Sequence, residues 1–439
     1  MIFNFLKYLK PIWYFNLKPA KDFCYFPIEE QLIYQGIFLK KDTNYNSIIA
    51  QNRDLSWAAF QSGFISEVTE NGCDIWNKTK IPVIDEYRFL NKNFNKGWVF
   101  YVLIIRLFTF NNPLVEIFSF LKVIKVKRVD FSKNSIKNND YEEFTSKLVH
   151  SKPFISVVIP TLNRYHYLKD VLIDLENQTY KNFEVIIVDQ TDDFKKDFYE
   201  GWNLDLKHWY QEEKALWKAR NEAIKSAKGD YILLYDDDSR VKNDWIYEHL
   251  KCLDFFKADL SSGVSISTVG DEVPKHYSYF RWSDQLDTGN VLLKKEIFDK
   301  IGMFDLQFEK QRMGDGEYGL RCYLKGFKNI SNYKAKRIHL KVSQGGLRQM
   351  GSWDGWRPKK LFGPRPVPSV LYLSKKYFGN KLTILYVLHS ILPSLVPYKF
   401  KKNRFLKMSS FVLLPFLLPL VFFQVYKSWR LSSIKIKQA

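Results

Sequence analysis

The sequence predicts an α/β fold built on a doubly wound, mostly parallel sheet, and three observations support this. First, short apolar runs without polar alternation have the composition of buried parallel strands; they lie at residues 155–159, 183–188 and 231–235. Second, segments with helical spacing separate and follow these runs, at residues 165–177, 214–227 and about 243–256. Strands that alternate with helices at this interval indicate parallel pairing. Third, the last of the three strands ends in an acidic cluster.

The acidic cluster consists of three consecutive carboxylates, Asp236, Asp237 and Asp238. In open α/β sheets, ligands bind in the crevice outside the carboxyl ends of the strands. Because alternate residues of an extended chain point the same way, we expect Asp236 and Asp238 to face one ligand. Their oxygens suit Mg²⁺ or Mn²⁺ that bridges a diphosphate. The alternative is a solvated acidic turn that caps the helix beginning near Asn243.

Length and charge limit the classes of function. At 439 residues the chain is too long for one compact core, so two or three units are expected. A formal net charge of +20 implies an acidic partner: nucleic acid, anionic lipid or a diphosphate-bearing substrate. We predict no nucleic-acid partner, because no matching motif is present and the basic residues lie largely beside apolar runs. The four cysteines are scattered without metal-ligand spacing, which predicts reduced thiols and no zinc site.

Three regions are predicted along the chain. Residues 1–150 form an N-terminal extension of unassigned fold that ends in a polar linker. Within it, residues 114–126 have an amphipathic pattern that fits a helix packed on the next domain or one that contacts a membrane. Residues 151–345 hold the α/β domain. Residues 346–439 begin with a basic and aromatic segment that could stack a sugar, hold a lipid diphosphate or cover a site, and they continue in apolar helices.

Residues 411–426 are the most apolar part of the last region, with basic residues on both sides. This run is shorter than the ~20 residues that a helix needs to cross a bilayer, and Pro415 and Pro419 interrupt it. We therefore expect a re-entrant or in-plane helix whose positive flanks meet anionic lipid. A buried core helix is the alternative.

Four ordered motifs within residues 155–339 resemble family-2 glycosyltransferases of the GT-A fold, of the type that builds bacterial surface polysaccharides. They are the opening ISVVIPTLNR with its following strand, Ala219-Arg220-Asn221 with the acidic cluster, Thr288-Gly289-Asn290, and Gly314-Asp315-Gly316-Glu317. The resemblance implies an inverting transfer of a sugar from a nucleotide-diphosphate donor, with a UDP-sugar favoured, to a glycan or lipid-linked acceptor. Two departures are Asp189-Gln190-Thr191-Asp192, where the family usually has Asp-Asp-Gly-Ser, and Gly314-Asp315, where it usually has Glu-Asp.

The resemblance also implies a role for each site residue. Four residues would contact the nucleotide: Thr161, Asp189, Arg220 and Asp236. Asp238 and His339 would bind Mg²⁺ or Mn²⁺, and Asp315 would be the base that takes the acceptor's proton. Gly289, Asn290 and Glu317 would line the sugar site. The alternatives left open are a surface salt bridge for Arg220, a helix N-cap for Asp315 and a structural role for His339.

The sequence thus predicts a metal-dependent glycosyltransferase at the cytoplasmic face of the cell membrane, held there as a peripheral or monotopic protein. The alternative is a non-catalytic protein that binds glycan or membrane and keeps only the fold. Retention of both Asp238 and Asp315 favours the enzyme.

Overall fold

The computed structural model describes residues 1–21, 23–66, 80–267, 272–342, 345–346, 354–397, 400 and 403–438, without the side chains of 404–405 and 407–414. Two compact units make up the chain. The first contains residues 1–137 and 378–390, and the second contains residues 138–377 and 391–439. The first unit ends somewhat before the predicted boundary at residue 150, and most of the predicted C-terminal region groups with the α/β unit.

The secondary-structure elements described in residues 1–137 of the first unit are helices. Its helices are α1 (Leu6–Leu9), α2 (Glu29–Tyr34), α3 (Ile48–Gln61), α4 (Val83–Asn93), α5 (Lys96–Phe108) and α6 (Pro113–Val123), with 3-10 turns at Tyr14–Asn16 and Phe131–Asn134. Side chains of Ser47, Asn95 and Asn112 accept hydrogen bonds from the first turns of α3, α5 and α6. These caps satisfy backbone N–H groups that have no partner within the helix.

Aromatic packing and buried charge pairs hold the first unit together. Phe3 stacks on Phe89 with ring centroids 3.8 Å apart, and Trp57 meets Phe89 edge to face. Lys92 pairs with both Asp42 and Asp54 in the interior. Cys24 is disulfide-bonded, so the prediction of reduced thiols is wrong at this position. Cys252 and Cys322, in the second unit, are free and buried.

The second unit is built on one nine-stranded sheet, which confirms the predicted α/β class. Its strands are β1 (Ile155–Thr161), β2 (Phe183–Asp189), β3 (Asp205–Tyr210), β4 (Tyr231–Tyr235), β5 (Ser239–Val241), β6 (Leu260–Ser267), β7 (Arg281–Trp282), β8 (Asn290–Lys294) and β9 (Asn329–His339). The strand order is β3-β2-β1-β4-β8-β6-β9-β5, and β7 pairs with β9.

The sheet divides into a parallel half and a mixed half. Strands β3, β2, β1 and β4 are parallel neighbours, as the continuous apolar runs of β1, β2 and β4 predict; β3 has no such run and was not predicted. Strand β8 runs antiparallel to both β4 and β6, and β9 is parallel to β6 but antiparallel to β5 and β7. The first half brings the carboxyl ends of β1, β2 and β4 to one edge, where β1 and β2 end in register at Thr161 and Asp189. The predicted site lies at this edge.

Helices precede, separate and follow the strands along the chain. They are α7 (Asp140–Glu143), α8 (Lys147–Ser151), α9 (Tyr165–Glu176), α10 (Leu216–Ser226), α11 (Trp245–Phe255), α12 (Glu296–Ile301), α13 (Gly314–Leu324), α14 (Pro368–Leu395) and α15 (Arg404–Gln438). Short 3-10 turns occur at Lys196–Tyr199, Lys275–Ser278 and Leu306–Phe308. Helix α14 breaks at Gly379, where φ is 74°. In the part of the chain that the structure describes, no helix has the length and apolarity required to cross a membrane.

Candidate active site

Thr161, at the end of β1, forms a hydrogen bond with the acidic cluster. Its hydroxyl donates a hydrogen bond to Asp237 Oδ2 at 2.8 Å, and both side chains are buried. Burial raises the pKa of Asp237 to about 6, although the charge of Arg164 opposes this shift. Thr161 therefore orients the middle carboxylate of the cluster, and the nucleobase contact implied by the resemblance stays a prediction.

Asp236 is fixed by arginines from two different elements. Arg220 in α10 places Nη2 2.9 Å from Oδ1, and Arg337 in β9 places Nη1 2.8 Å from Oδ2. Arg337 also holds Asp287, with Nη2 2.9 Å from each carboxylate oxygen. Both arginines are almost completely buried, which excludes the surface salt bridge considered for Arg220. A Cβ on Gly289 would lie 2.1 Å from Asp236 Oδ2, so glycine lets the backbone pass beside this carboxylate.

Asp238 lies between a histidine and an arginine. His339 Nε2 is 3.3 Å from Oδ1, and Arg164 Nη1 is 3.1 Å from Oδ2 and 2.8 Å from Asp237 Oδ1. Burial opposes ionisation of Asp238, but the hydrogen bond with His339 and the charge of Arg164 hold the pKa of this carboxyl below its ordinary value. Asp238 is therefore an ionised, oriented carboxylate, as a metal ligand must be.

A possible metal site is formed by Asp236, Asp238 and His339. One ligand atom from each lies within 4.8 Å of the other two. Two carboxylate oxygens and one imidazole nitrogen fit a divalent cation that keeps open positions for phosphate oxygens and water. The structure thus brings together Asp238 and His339, the metal ligands that the resemblance implies, with Asp236, which the alternation along the acidic cluster placed beside Asp238 and the resemblance assigned to the nucleotide.

Three arginines balance most of the carboxylate charge at this site. Four carboxylates, those of residues 236–238 and Asp287, face the guanidinium groups of Arg164, Arg220 and Arg337. Four negative and three positive groups leave a net charge near −1, which attracts a lone cation only weakly. The same three arginines offer positive charge to a diphosphate. The sequence analysis missed Arg164, Arg337 and Asp287.

Asp189, at the end of β2, is enclosed by hydrogen-bond donors. Its Oδ2 accepts from the Tyr165 hydroxyl at 2.6 Å and from the Tyr199 hydroxyl at 2.7 Å, and its Oδ1 accepts from the Thr191 N–H at 2.9 Å. Burial, together with the bond to Asp189, raises the pKa of Tyr165 to about 12. The contact with a nucleobase N–H implied by the resemblance stays a prediction, and it would have to share a carboxylate that already accepts three bonds.

Asp315 lies in the first turn of α13. The N-cap position is taken by Met313, whose φ is 83°, so Asp315 is not the cap residue considered as the alternative. Asp315 Oδ1 accepts a hydrogen bond from the Gly316 N–H at 2.8 Å, and the side chain is half-buried. A carboxylate in the first turn is stabilised by the positive end of the helix dipole, which suits an ionised base.

A chain of contacts connects the start of α13 to the acidic cluster. The Trp217 ring in α10 lies against Gly314 so closely that a Cβ there would come within 2.4 Å of it. The guanidinium of Arg220 lies 5.3 Å from the centroid of the same ring and bonds to Asp236. Trp217 therefore lies between the start of α13, which contains the predicted base, and the arginine that holds Asp236.

Glu317 occupies a structural position. Its carboxylate is fully buried, receives Arg321 Nε at 3.0 Å on each oxygen, and accepts a hydrogen bond from the Tyr377 hydroxyl. These contacts give no support to the sugar-binding role that the resemblance implies. They tie α13 to the start of α14.

Asn290 is also part of the core, and the sugar contact predicted for its side chain needs correction. Its Oδ1 accepts from Trp245 Nε1 at 2.8 Å and lies 3.1 Å from His249 Nε2. Its Nδ2 donates to the carbonyl oxygens of Val264 and Ala335 at 3.2 and 3.0 Å. With its hydrogen-bonding capacity satisfied and no exposed surface, the side chain cannot reach a sugar.

Replacing Asn290 by Ala should lower the free energy of unfolding by about 2–4 kcal/mol, because an indole N–H and two carbonyl groups would lose their buried partner. Urea denaturation followed by tryptophan fluorescence measures this loss. Asn177→Ala is the control, because this exposed residue at the end of α9 should change stability by less than about 0.5 kcal/mol. An Asn290→Ala protein of unchanged stability and raised KM would return the residue to the substrate site.

Residues 156–310 match the family described as glycosyl transferase family 2. This segment belongs to that family. It begins in β1 and includes the acidic cluster but ends before Asp315 and His339.

Curated relatives are glycosyltransferases of similar sequence. "Glycosyltransferase GlyA" of Streptococcus pneumoniae is 25% identical over 243 residues, which cover 52% of this chain and 30% of the relative. "Putative glycosyltransferase EpsH" of Bacillus subtilis is 32% identical over 218 residues, 45% of this chain and 63% of the relative. "Putative teichuronic acid biosynthesis glycosyltransferase TuaG" of B. subtilis is 31% identical over 105 residues, which cover 23% of this chain and 42% of the relative. The chain thus spans less than two thirds of each of these relatives.

A solved structure is also similar. S. aureus TarS 1–349, in complex with UDP-GlcNAc, is 16% identical with a TM-score of 0.44, and the match covers 65% of this chain and 91% of that chain.

Proposed function

We propose that the protein is an inverting, metal-dependent glycosyltransferase that transfers a sugar from a nucleotide-diphosphate sugar to a glycan or lipid-linked acceptor. One observation carries the proposal: Asp236, Asp238 and His339 converge at the carboxyl edge of the sheet, and both aspartates lie within the segment that matches glycosyl transferase family 2. The glycosyltransferase names of the curated relatives support the reaction class. The relative named for teichuronic acid biosynthesis supports a surface-polysaccharide acceptor.

The residues divide the chemistry between donor and acceptor. Asp236, Asp238 and His339 would hold a divalent cation, which offsets the charge that develops on the leaving diphosphate. Arg220 lies beside this site, and its positive charge would attract the diphosphate. Asp315 accepts the proton of the acceptor hydroxyl while that oxygen forms a bond to the anomeric carbon. The bond from the anomeric carbon to the diphosphate oxygen breaks on the opposite face, which inverts the configuration.

The imidazole ligand favours Mn²⁺ over Mg²⁺, because magnesium strongly prefers oxygen ligands. For the donor we favour a UDP-sugar, on the basis of Asp189 in the motif shared with the family. A panel of UDP-, GDP- and dTDP-sugars, incubated with Mn²⁺ and in parallel with Mg²⁺ and assayed for release of the nucleoside diphosphate, tests both choices. One nucleotide class should be hydrolysed well above the others. Equal background release from every donor would argue against a glycosyltransferase.

We also propose that the enzyme works at the cytoplasmic face of the cell membrane and that α15 lies on the lipid. The distribution of polar and apolar side chains around this helix is the reverse of that on a surface helix of a soluble protein. Among its described side chains, the buried face contains the polar residues Gln424, Ser428 and Ser432, while Phe416 and Phe422 are largely exposed. Large aromatic side chains that face outward together mark an interaction surface. Basic residues follow on the same helix, at Lys427 and Arg430.

Replacing Phe416 and Phe422 together by Asp should lower the fraction of protein that sediments with membranes about tenfold or more, because each change removes an apolar anchor and adds repulsion from anionic lipid. Leu306→Asp with Val273→Asp is the matched control, since both residues are exposed in the same unit outside α15. Equal sedimentation of wild type and the α15 variant in high salt would contradict this role for the helix.

A further inference from the structure

Helices α5 and α6 form a hairpin whose exposed surface is apolar. Residues 109–112 connect the two helices, and the side chains near this turn are among the most exposed hydrophobic residues of the first unit. The exposed fractions are 97% for Phe110, 79% for Leu114, 77% for Phe108 and 64% for Phe118. Four large apolar side chains exposed to this extent in one short segment form a patch that needs a partner.

Two opposite charges inside the hairpin neutralise each other. Between residues 98 and 121 the sequence contains two ionisable charges, Arg106 and Glu116. Arg106 Nε lies 2.8 Å from Glu116 Oε1, and the Tyr87 hydroxyl donates to Glu116 Oε2 at 2.7 Å. Glu116 is fully buried between the helices. Between residues 98 and 121 the outer surface of the hairpin therefore presents hydrocarbon without an unpaired charge.

The exposed arc of α6 is too wide for a narrow groove in a protein. At about 100° per residue, the exposed positions 114, 115, 117, 118 and 121 cover about 160° of the helix circumference. The buried side contains Glu116 and Ser119 beside Phe120 and Val123, so α6 buries polar groups while the side chains of its exposed arc are all apolar. A fluid hydrocarbon phase can surround such an arc, whereas a helix held in a groove buries a stripe on one side.

Basic residues border the apolar surface. Lys122, Lys125, Lys127 and Arg128 follow Leu121, the last exposed apolar position of α6, and all four are exposed. Within the described residues none of them has an acidic partner at ion-pair distance. Positive charge next to an exposed apolar surface is complementary to a bilayer that contains anionic lipid.

We propose that the α5–α6 hairpin is a membrane-inserting element, which docks the first unit on an anionic lipid surface. With 13 and 11 residues, the helices are about 20 Å and 16 Å long, so the hairpin would enter one leaflet without crossing the bilayer. The inference rests on the membrane location proposed above, but it does not depend on the chemistry of the site or on α15. Of the two alternatives for the amphipathic pattern at residues 114–126, the proposal favours contact with a membrane over packing on the next domain.

Vesicle co-sedimentation of the full chain tests this assignment. The probes are vesicles of phosphatidylcholine with one third phosphatidylglycerol, and vesicles of phosphatidylcholine alone. The test variant carries Phe110→Asp and Leu114→Asp, two residues so exposed that folding should not depend on them. Tyr34→Asp with Phe38→Asp is the control, because these residues have exposed fractions of 92% and 81% in the same unit and give the same change in charge.

We expect the test variant to bind anionic vesicles about 30-fold more weakly than wild type and the control to bind within threefold. Lys125→Gln with Lys127→Gln should weaken binding to anionic vesicles at low salt by about tenfold or more and leave binding to neutral vesicles unchanged. Equal losses in the Phe110/Leu114 variant and its control would overturn the assignment, because charge alone would explain them. Full binding by that variant and loss of binding by the α15 variant would overturn it while the membrane location stands. If wild-type protein binds neither vesicle type, both the hairpin assignment and the membrane location are wrong. The proposed enzymatic activity would still be tested separately by hydrolysis of donor sugars.

Discussion

Replacing Asp315 by Asn should leave donor and metal binding intact and lower sugar transfer by about 10²-fold to 10⁴-fold, the range that general-base catalysis contributes. A base acts only when the acceptor hydroxyl loses its proton, so its removal affects the transition state and not the donor complex. Asn keeps the shape of the side chain and can still accept the bond from the Gly316 N–H. Initial rates of transfer, with calorimetry of donor binding on the same protein, separate the two effects.

Asp299→Asn provides the control for this experiment. Asp299 is an exposed carboxylate in α12, the helix that precedes α13, and the same chemical change there should leave transfer within twofold of wild type. If Asp315→Asn transfers sugar at a near wild-type rate, the base is another group. Glu317 is then a poor substitute, because Arg321 and Tyr377 already engage its buried carboxylate. If the variant no longer binds donor, Asp315 has a structural or metal-linked role.

Replacing Asp238 by Asn should weaken binding of metal and of nucleotide together and lower transfer by about 10²-fold to 10³-fold. The change removes one of three ligand groups and leaves Arg164 with less negative charge to balance. The net charge of the site would change from near −1 to near zero, which should raise the affinity for a free diphosphate without metal relative to wild type. Titrations of nucleotide with Mn²⁺ and with EDTA distinguish this outcome from simple loss of the site.

Asp193→Asn is the matched control for Asp238→Asn. Its side chain is 86% exposed and pairs only at 3.5 Å with Lys195 on the surface, so neither metal nor nucleotide affinity should change. Normal metal-dependent nucleotide affinity in Asp238→Asn would remove this residue from the metal site. The cation would then need a ligand set that the present geometry does not provide.

The parallel half of the sheet and its acidic end could be predicted from the sequence because their signals are local. Strands β1, β2 and β4 are buried on both faces and therefore appear as unbroken apolar runs. The carboxylates that follow β4 mark the edge where ligands bind in such sheets. The antiparallel pairing of β8 leaves no such signal, because direction depends on which strand it meets.

The partners of the carboxylates could not be predicted, because they depend on the tertiary structure. Arg337 is 101 residues from Asp236 in sequence, and nothing around it distinguishes it from other arginines in a basic chain. Asn290 is the opposite case, because the sequence points to it but the structure places it outside the site. It matches a family motif, yet its amide lies in the core and bonds to four groups from distant segments. The first unit lacked a recognisable pattern because aromatic packing and buried charge pairs have no fixed period.

The central claim is that residues 236–238, His339 and their arginines form a metal-dependent site for a nucleotide diphosphate. Calorimetric titration of the wild-type protein with UDP, in Mn²⁺ and in EDTA, tests it most directly, with Mn²⁺ alone as a third titration. Because the arginines leave a net charge near −1, we expect weak binding of Mn²⁺ alone, at least tenfold tighter binding of Mn²⁺ with UDP present, and a matching loss of UDP affinity in EDTA. If UDP and the other nucleoside diphosphates bind equally well in Mn²⁺ and in EDTA, or do not bind at all, the claim is wrong.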